Sequence, residues 1–222
     1  AGGFSRGLLE ARDRGASHCL FMDDDASVHM GAITRTWMFL AYATDPRTTV
    51  AGAMINDAHG WKLWENGAVF HRGCHPHFFG WDMRERRYGL RQGYEHEDTS
   101  FQRDKFGLRK KFDPSNSVLN GFNRIFDMEF ATTDPRPKGF YGGWWFYAFP
   151  VAHAAHMPFP FFVRGDDVSF SIANDLRMVT LPGVASFQES FTDKASPLTW
   201  YLDMRSHLAH HLSLPQMQAL EA

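Results

Sequence analysis

Three consecutive carboxylates, Asp23, Asp24 and Asp25, follow directly on the apolar stretch Cys19-Leu20-Phe21-Met22. A short apolar run bounded by turn residues marks a buried strand. Three like charges at its end cannot enter a fold together unless they are protonated, left in water or balanced by a cation. A hard divalent cation is the simplest balance, because it takes oxygen ligands and keeps positions open for phosphate oxygens. Strand ends in open α/β sheets are also where ligands bind. The alternative is a solvated acidic turn that caps the next helix.

A second acidic pair repeats the arrangement. The apolar run Phe159-Pro160-Phe161-Phe162-Val163 leads into Arg164-Gly165-Asp166-Asp167, and a helical pattern begins at Val168. This predicts a strand that runs into a helix N-terminus, with Asp166 as N-cap and Asp167 in the first turn, where the macrodipole favours a negative charge. A carboxylate placed there, at the mouth of a metal site, can serve as a general base. The two acidic strand ends together predict one cation cluster and one proton acceptor.

The length of 222 residues suits one domain with an insertion. A formal net charge of −2 leaves no electrostatic footprint for nucleic acid. The two cysteines, Cys19 and Cys74, show no disulfide spacing, which points to a reducing compartment. No apolar run is long enough to span a bilayer, and no signal peptide is visible. The chain opens on Ala1-Gly2-Gly3 rather than Met, so upstream sequence is expected to be missing. Aromatic residues reach 15%, and Trp144-Trp145, after Gly142-Gly143, are read as a wall for a sugar ring against the default of core packing.

Periodicity predicts helices over 4–14, 33–43 and 197–212, the last with Pro197 in its first turn. Strands are expected over 19–22, 50–55, 124–130, 178–181 and 184–187, with Pro182-Gly183 turning between the last two. Trp64 to Phe70 reads as a hairpin around Asn66-Gly67. Residues 71 to 118 have weak periodicity and read as an irregular insertion that covers or flanks the site. Alternating strands and helices indicate an α/β domain. The tract His71, Cys74, His75, His77 lacks the distant second ligand pair of a structural zinc site. His207, His210 and His211 are read as a solvated helix face.

Gly2-Gly3-Phe4-Ser5-Arg6-Gly7, followed by Leu20-Phe21-Met22-Asp23-Asp24-Asp25, resembles the glycine-rich loop and Asp-x-Asp strand end of inverting family 2 glycosyltransferases. Gly143-Trp144-Trp145, Phe161 to Asp167, Leu181-Pro182-Gly183 and the helix with Trp200, Tyr201 and Arg205 follow in the same order and are similar to bacterial galactofuranosyltransferases that build cell-wall galactan. The resemblance implies a GT-A-like, Rossmann-like α/β fold: a mostly parallel sheet flanked by helices, here without its N-terminal nucleotide-base strands. It implies one catalytic domain over 1–222, interrupted at about 71–118.

By the same resemblance Asp23 and Asp25 hold Mn2+ or Mg2+ against a nucleotide diphosphate, and Asp167 is the base. Gln188 stands where the family has a metal-ligating His, with Glu189 beside it as a substitute. Gly2, Gly3, Arg6 and Asp24 fall on the donor side; Trp144, Trp145 and Asp166 fall on the acceptor side. The implied partners are a UDP-sugar donor and a glycan or lipid-linked glycan acceptor. The implied location is cytoplasmic, peripheral to the inner face of the plasma membrane. Two other readings fit parts of the pattern. Asp23-x-Asp25 with Gly165-Asp166-Asp167 also resembles a haloacid-dehalogenase-like phosphatase, and the aromatic content suits a non-catalytic carbohydrate-binding module.

Overall fold

A computed structural model describes residues 2–80, 82–84, 101–103, 109–111, 139–159, 161, 164–189 and 196–218. In chain order the elements begin α1 (Gly2–Asp13), β1 (His18–Phe21), β2 (Ser27–Val28), α2 (Ala32–Ala41), β3 (Thr48–Asn56), β4 (Leu63–Glu65), β5 (Ala68–Phe70) and β6 (Cys74–Pro76). They continue with β7 (Phe101–Arg103), β8 (Arg109–Lys111), β9 (Phe140–Tyr141), β10 (Tyr147–Pro150), α3 (Asp166–Ala173), β11 (Arg177–Gln188), α4 (Pro197–Ser213) and α5 (Pro215–Gln218). The strand expected over 124–130 lies outside the described residues.

The main sheet has the order β1-β10-β3-β11-β2, and β4 pairs with β3. It is mixed, which corrects the mostly parallel expectation. Among the described residues β3–β11 is its one parallel pair, and β1–β10, β10–β3, β11–β2 and β3–β4 are antiparallel. The cause is topological. β10 arrives from far along the chain and inserts between β1 and β3, and an antiparallel neighbour needs no helical crossover. The two reversals leave β1, β3 and β11 pointing the same way. Their carboxyl ends therefore share one side of the sheet.

Alternation along β10 divides the core. Tyr147 and Phe149 pack on one face with Leu8 of α1 and Phe170 of α3. Phe146 and Ala148 pack on the other with Ala32 and Leu40 of α2. The first face holds a ring cluster. Phe21 lies 4.9 Å from Trp144, 4.8 Å from Phe149 and 5.7 Å from Phe170, and Phe4 lies 5.0 Å from Phe21. Most of these pairs are tilted or edge-on, the arrangement that ring quadrupoles favour.

Several local expectations change. β4 and β5 are not a hairpin, because β4 joins β3 while β5 pairs with β6 and β9 in a second sheet. Leu181-Pro182-Gly183 does not end a strand. β11 runs through it with a register shift between Thr180 and Ala185, and Gly183 supplies the left-handed residue at φ +73°. Phe159 and Phe161 are not in a strand, and residues 160, 162 and 163 of the expected strand lie outside the described residues. The described parts of 71–118 add no strand to the main sheet: β6 belongs to the second sheet, and β7 and β8 pair with each other.

Helix α4 is closed at its start by a reciprocal cap between Ser196 and Thr199. It buries Leu202, Ser206 and His210 at i, i+4 and i+8. His210 is fully buried between Phe70 and Phe161, not solvated as its polar neighbours suggested. Among the described residues no helix is long and apolar enough to cross a membrane.

Phe170 joins the ring cluster to the helix that carries the second acidic pair. Phe170→Ala should cost about 3–5 kcal/mol of unfolding free energy. Urea denaturation followed by near-ultraviolet circular dichroism measures this, and a cost below about 1 kcal/mol would mean the cluster is not the core.

Candidate active site

The site forms at the shared carboxyl ends of β1, β3 and β11. Phe21 is the last residue of β1, and Asp23, Asp24 and Asp25 make the turn that follows. The turn feeds β2, which pairs back onto β11 with Phe187 opposite Ser27. This brings the turn over Gln188, the last residue of β11. Gln188 Nε2 donates to Asp23 Oδ2 at 3.1 Å and to Asp25 Oδ1 at 3.0 Å. The backbone holds Gln188 as well, since Asp57 N–H donates to its carbonyl at 2.8 Å. Gln188 is only 3% exposed, and its Oε1 is buried without a partner.

Glu189, the alternative third ligand, is exposed at the next position along the chain. Asp24 is exposed at the tip of the turn.

The second acidic pair opens α3. Gly165 is the cap, at φ +96°, which moves Asp166 from the expected N-cap into the first turn beside Asp167. Arg164 is also left-handed, at φ +72°. A Cβ on Gly165 would meet Ser206 Cβ at 2.8 Å and His210 Nε2 at 2.9 Å, so glycine is needed both for its conformation and for close approach to α4. Arg164 Nη1 donates to Asp203 Oδ2 at 2.7 Å, clamping the turn to α4. Phe170 of α3 stacks toward Phe21 of β1 and so sets one acidic turn against the other.

Electrostatics report the result. Burial pushes the Asp167 carboxyl up from 3.8 to about 7, and the charges of Asp166 and Asp23 push the same way against the Val168 N–H. Burial also raises Asp23, partly offset by the Gln188 hydrogen bond, with Asp25, Asp166 and Asp24 adding repulsion. A carboxylate titrating near neutrality matches a general base.

A further acid was missed by pattern reading. Glu65 of β4 is 5% exposed, and its Oε1 has no partner. Burial and the Asp167 charge raise it from 4.5 to about 8. Asp167 loses its proton first, while Glu65 is still neutral, so Glu65 feels the charge of Asp167 and Asp167 feels none in return. The signal was available: in Leu63-Trp64-Glu65 the strand period puts Glu65 on the apolar face with Leu63.

The remaining expected residues are placed differently. Trp144 and Trp145 are 4% and 8% exposed and belong to the cores on opposite faces of the sheet. Trp145 Nε1 donates to the Gly52 carbonyl at 3.0 Å. The two rings that were expected to form an acceptor wall are thus packed into two separate core clusters. Gly2 and Gly3 are not a loop but the first turn of α1, exposed, with room for a Cβ. Arg6 pairs with Glu10 on the exposed side of α1. Cys74 Sγ, at an exposed position, lies 3.5 Å from His207 Nε2.

Among the described residues no three His, Cys, Asp or Glu side chains are grouped to hold a metal. A cation at Asp23 and Asp25 would rely on the two carboxylates and on phosphate oxygens of a ligand. That donor set fits Mg2+ or Mn2+, which commonly take one or two carboxylates plus substrate phosphates.

No family model matches the chain. Among curated proteins it is 27% identical over 216 residues to galactofuranosyltransferase GlfT2 of Mycolicibacterium smegmatis, covering 94% of this chain and 29% of that protein. It is 26% identical over 231 residues to galactofuranosyltransferase GlfT2 of Mycobacterium tuberculosis, covering 99% of this chain and 32% of that protein. The chain is a distant homologue of galactofuranosyltransferases. These relatives are family 2 glycosyltransferases, and the chain spans about a third of their length. The mixed α/β architecture is compatible with a glycosyltransferase fold.

The raised acids make a stability prediction. An acid with a raised folded value contributes stability below its ordinary value and loses it as pH rises through the folded one. For Asp167 that loss is centred on about 7 and for Glu65 on about 8. His210, held down to about 4 by burial, opposes this only below its ordinary 6.5. Metal-free protein should therefore melt at a lower temperature at pH about 8.5 than at about 6.5. Asp167→Asn with Glu65→Gln should flatten the dependence, and an unchanged slope in the double variant would place the titration elsewhere.

Proposed function

We propose that this chain carries the catalytic centre of a metal-assisted, inverting glycosyltransferase. It moves a hexose, galactofuranose by its relatives, from a UDP-sugar to a hydroxyl of a glycan or lipid-linked glycan. The observation that carries this is Gln188 lying between Asp23 and Asp25 at the carboxyl ends of three co-directed strands, with the Asp167 turn packed against them. The relatives' names supply the reaction class and the sugar.

Each residue has a defined task. Asp23 and Asp25, with the Gln188 carboxamide beside them, would hold Mg2+ or Mn2+. The bound cation supplies Lewis-acid neutralisation of the charge that develops on the leaving diphosphate. Asp24, at the exposed tip of the turn, faces the donor side together with the start of α1 at Gly2, Gly3 and Arg6. Asp167 accepts the proton of the acceptor hydroxyl as its oxygen bonds to the anomeric carbon. The bond from that carbon to the diphosphate oxygen breaks in the same displacement, and its electron pair leaves with the diphosphate. Attack opposite the leaving group inverts the anomeric centre, and no covalent enzyme nucleophile is needed. Asp166 orients the acceptor. Glu65, protonated at neutral pH, sits behind Asp167 without adding a second negative charge.

Two measurements test this. UDP-galactofuranose with a galactofuranose oligosaccharide and Mg2+ should give a product one hexose longer by mass spectrometry, and EDTA should abolish it. Hydrolysis of a phosphomonoester without transfer would favour the phosphatase reading instead. Asp167→Asn keeps the shape and removes the proton acceptor. It should lower kcat by about 10²–10⁴ with donor KM nearly unchanged. Wild-type turnover in that variant would move the base to another carboxyl.

A further inference from the structure

A second concave surface lies along α3. It is a cleft of about 350 Å³ between α3, the start of α5 and the segment that carries Phe159 and Phe161. Phe159 is 56% exposed, and its ring tilts against that of Phe161 at 4.6 Å, so a large aromatic surface stays uncovered. Ser169, Ser213 and Gln216 add polar groups to the wall. Among the described residues that line the cleft there is no Asp, Glu, Lys or Arg. The walls are fixed in advance. Asn174, buried just past the end of α3, accepts from the His156 N–H at 2.7 Å and donates to the His156 carbonyl at 3.1 Å. Arg12 of α1 donates to the Ala154 carbonyl and lies 3.2 Å from Met157 Sδ. Phe161 packs on the buried ring of His210 at 5.1 Å.

This lining selects a chemistry. A phosphate-bearing ligand calls for Arg or Lys, and the wall has neither. A purely apolar ligand gains nothing from the polar groups. Ser169 Oγ donates to the Asp166 carbonyl at 3.1 Å, and Ser213 Oγ donates to the Ala209 carbonyl at 2.6 Å. Each hydroxyl has thereby spent its hydrogen on the backbone and keeps lone pairs for a donor. The hydroxyls of a neutral sugar are such donors, and the carbon-lined face of its ring packs on an aromatic face. The position ties the cleft to the reacting centre. Asp166, Ser169 and Ala173 stand at i, i+3 and i+7 and share one face of α3, with Ser169 and Ala173 in the wall of the cleft. The helix rises by about 10 Å from Asp166 to Ala173, a length for a chain of sugar rings rather than a single ring.

The geometry points to this cleft as a distal subsite for the acceptor glycan, in which a sugar ring farther back along the chain from the reacting hydroxyl stacks on Phe159 and donates to Ser169, Ser213 and Gln216. The inference rests on the transferase reading and adds to it the course of the acceptor chain along α3. It also gives the protein a preference for longer acceptors, because only these fill the cleft while their end lies at Asp167.

Binding is tested first, without donor or metal, by saturation-transfer difference NMR of a methyl galactofuranoside disaccharide and tetrasaccharide on the full chain. The tetrasaccharide should bind about tenfold more tightly, the worth of one stacked ring, with saturation reaching the rings behind its reacting end. Phe159→Ala should remove most of that advantage, and Gln216→Ala should reduce it independently. Phe159 is more than half exposed, so its truncation spares the core. With UDP-galactofuranose and Mg2+, the ratio of kcat/KM between the two acceptors should collapse in the same variants. A length advantage unchanged in both variants would overturn the subsite and leave the transferase reading standing. Saturation of the rear rings that is lost in Phe159→Ala, without transfer from any donor, would keep the subsite and remove the reaction. An octyl glycoside saturated along its alkyl chain, with no saturation of either oligosaccharide, would overturn the sugar subsite in favour of a lipid groove.

Discussion

The contact between Phe21 and Phe170 is the constraint on which the site depends. Phe21 closes β1 two residues before Asp23, and Phe170 stands three residues after Asp167 on α3. Their rings lie 5.7 Å apart, and Trp144 and Phe149 pack against both. Two turns that would repel each other are thereby held together by apolar burial. The rings contribute hydrophobic area without polar demands of their own, and Trp144 Nε1 is the exception, buried without a partner. Repulsion between the acidic turns is a cost the core carries. Burial first, and the neighbouring negative charges after it, raise the acids at Asp23, Asp167 and Glu65.

Fixing the acids this way prepares chemistry before any ligand arrives. A cation would relieve the repulsion at Asp23 and Asp25, whose carboxylates both accept from the Gln188 amide. Asp167 is kept near neutrality by burial, so that it is neither always charged nor always protonated at working pH. The left-handed pair Arg164-Gly165 stores strain in the turn that carries it. The Arg164–Asp203 pair and the contact of Gly165 with α4 hold that strain in place. The two turns are held by different devices, a register for one and a clamp to a helix for the other.

Sequence made the ends of elements legible and their partners much less so. The apolar run before Asp23 and the helix after Asp167 have strong local signals, and α4 announces itself by Pro197 and its cap. The mixed sheet had no such signal, because the direction of β1 relative to β3 depends on β10, which begins 91 residues after β3 ends, a non-local choice. Gly2 and Gly3 read as a loop, but Phe4 and Leu8 pack on the ring cluster and draw the whole segment into a helix. Trp144 and Trp145 looked alike in sequence and lie on opposite faces. Gln188 could be placed by its position after Leu181-Pro182-Gly183. That it would bridge both carboxylates depended on the pairing of β2 with β11, which two residues of strand cannot announce. Glu65 and His210 were passed over because their polarity outweighed their spacing, and in both cases the spacing was right.

The most direct measurement is an anomalous difference map from crystals grown with Mn2+ and UDP. The account predicts one Mn2+ peak touching Asp23, Asp25 and a diphosphate oxygen, with Asp167 facing the opening beside the diphosphate. A Mn2+ peak remote from Asp23 and Asp25, or a diphosphate bound away from the carboxyl ends of β1, β3 and β11, would contradict it.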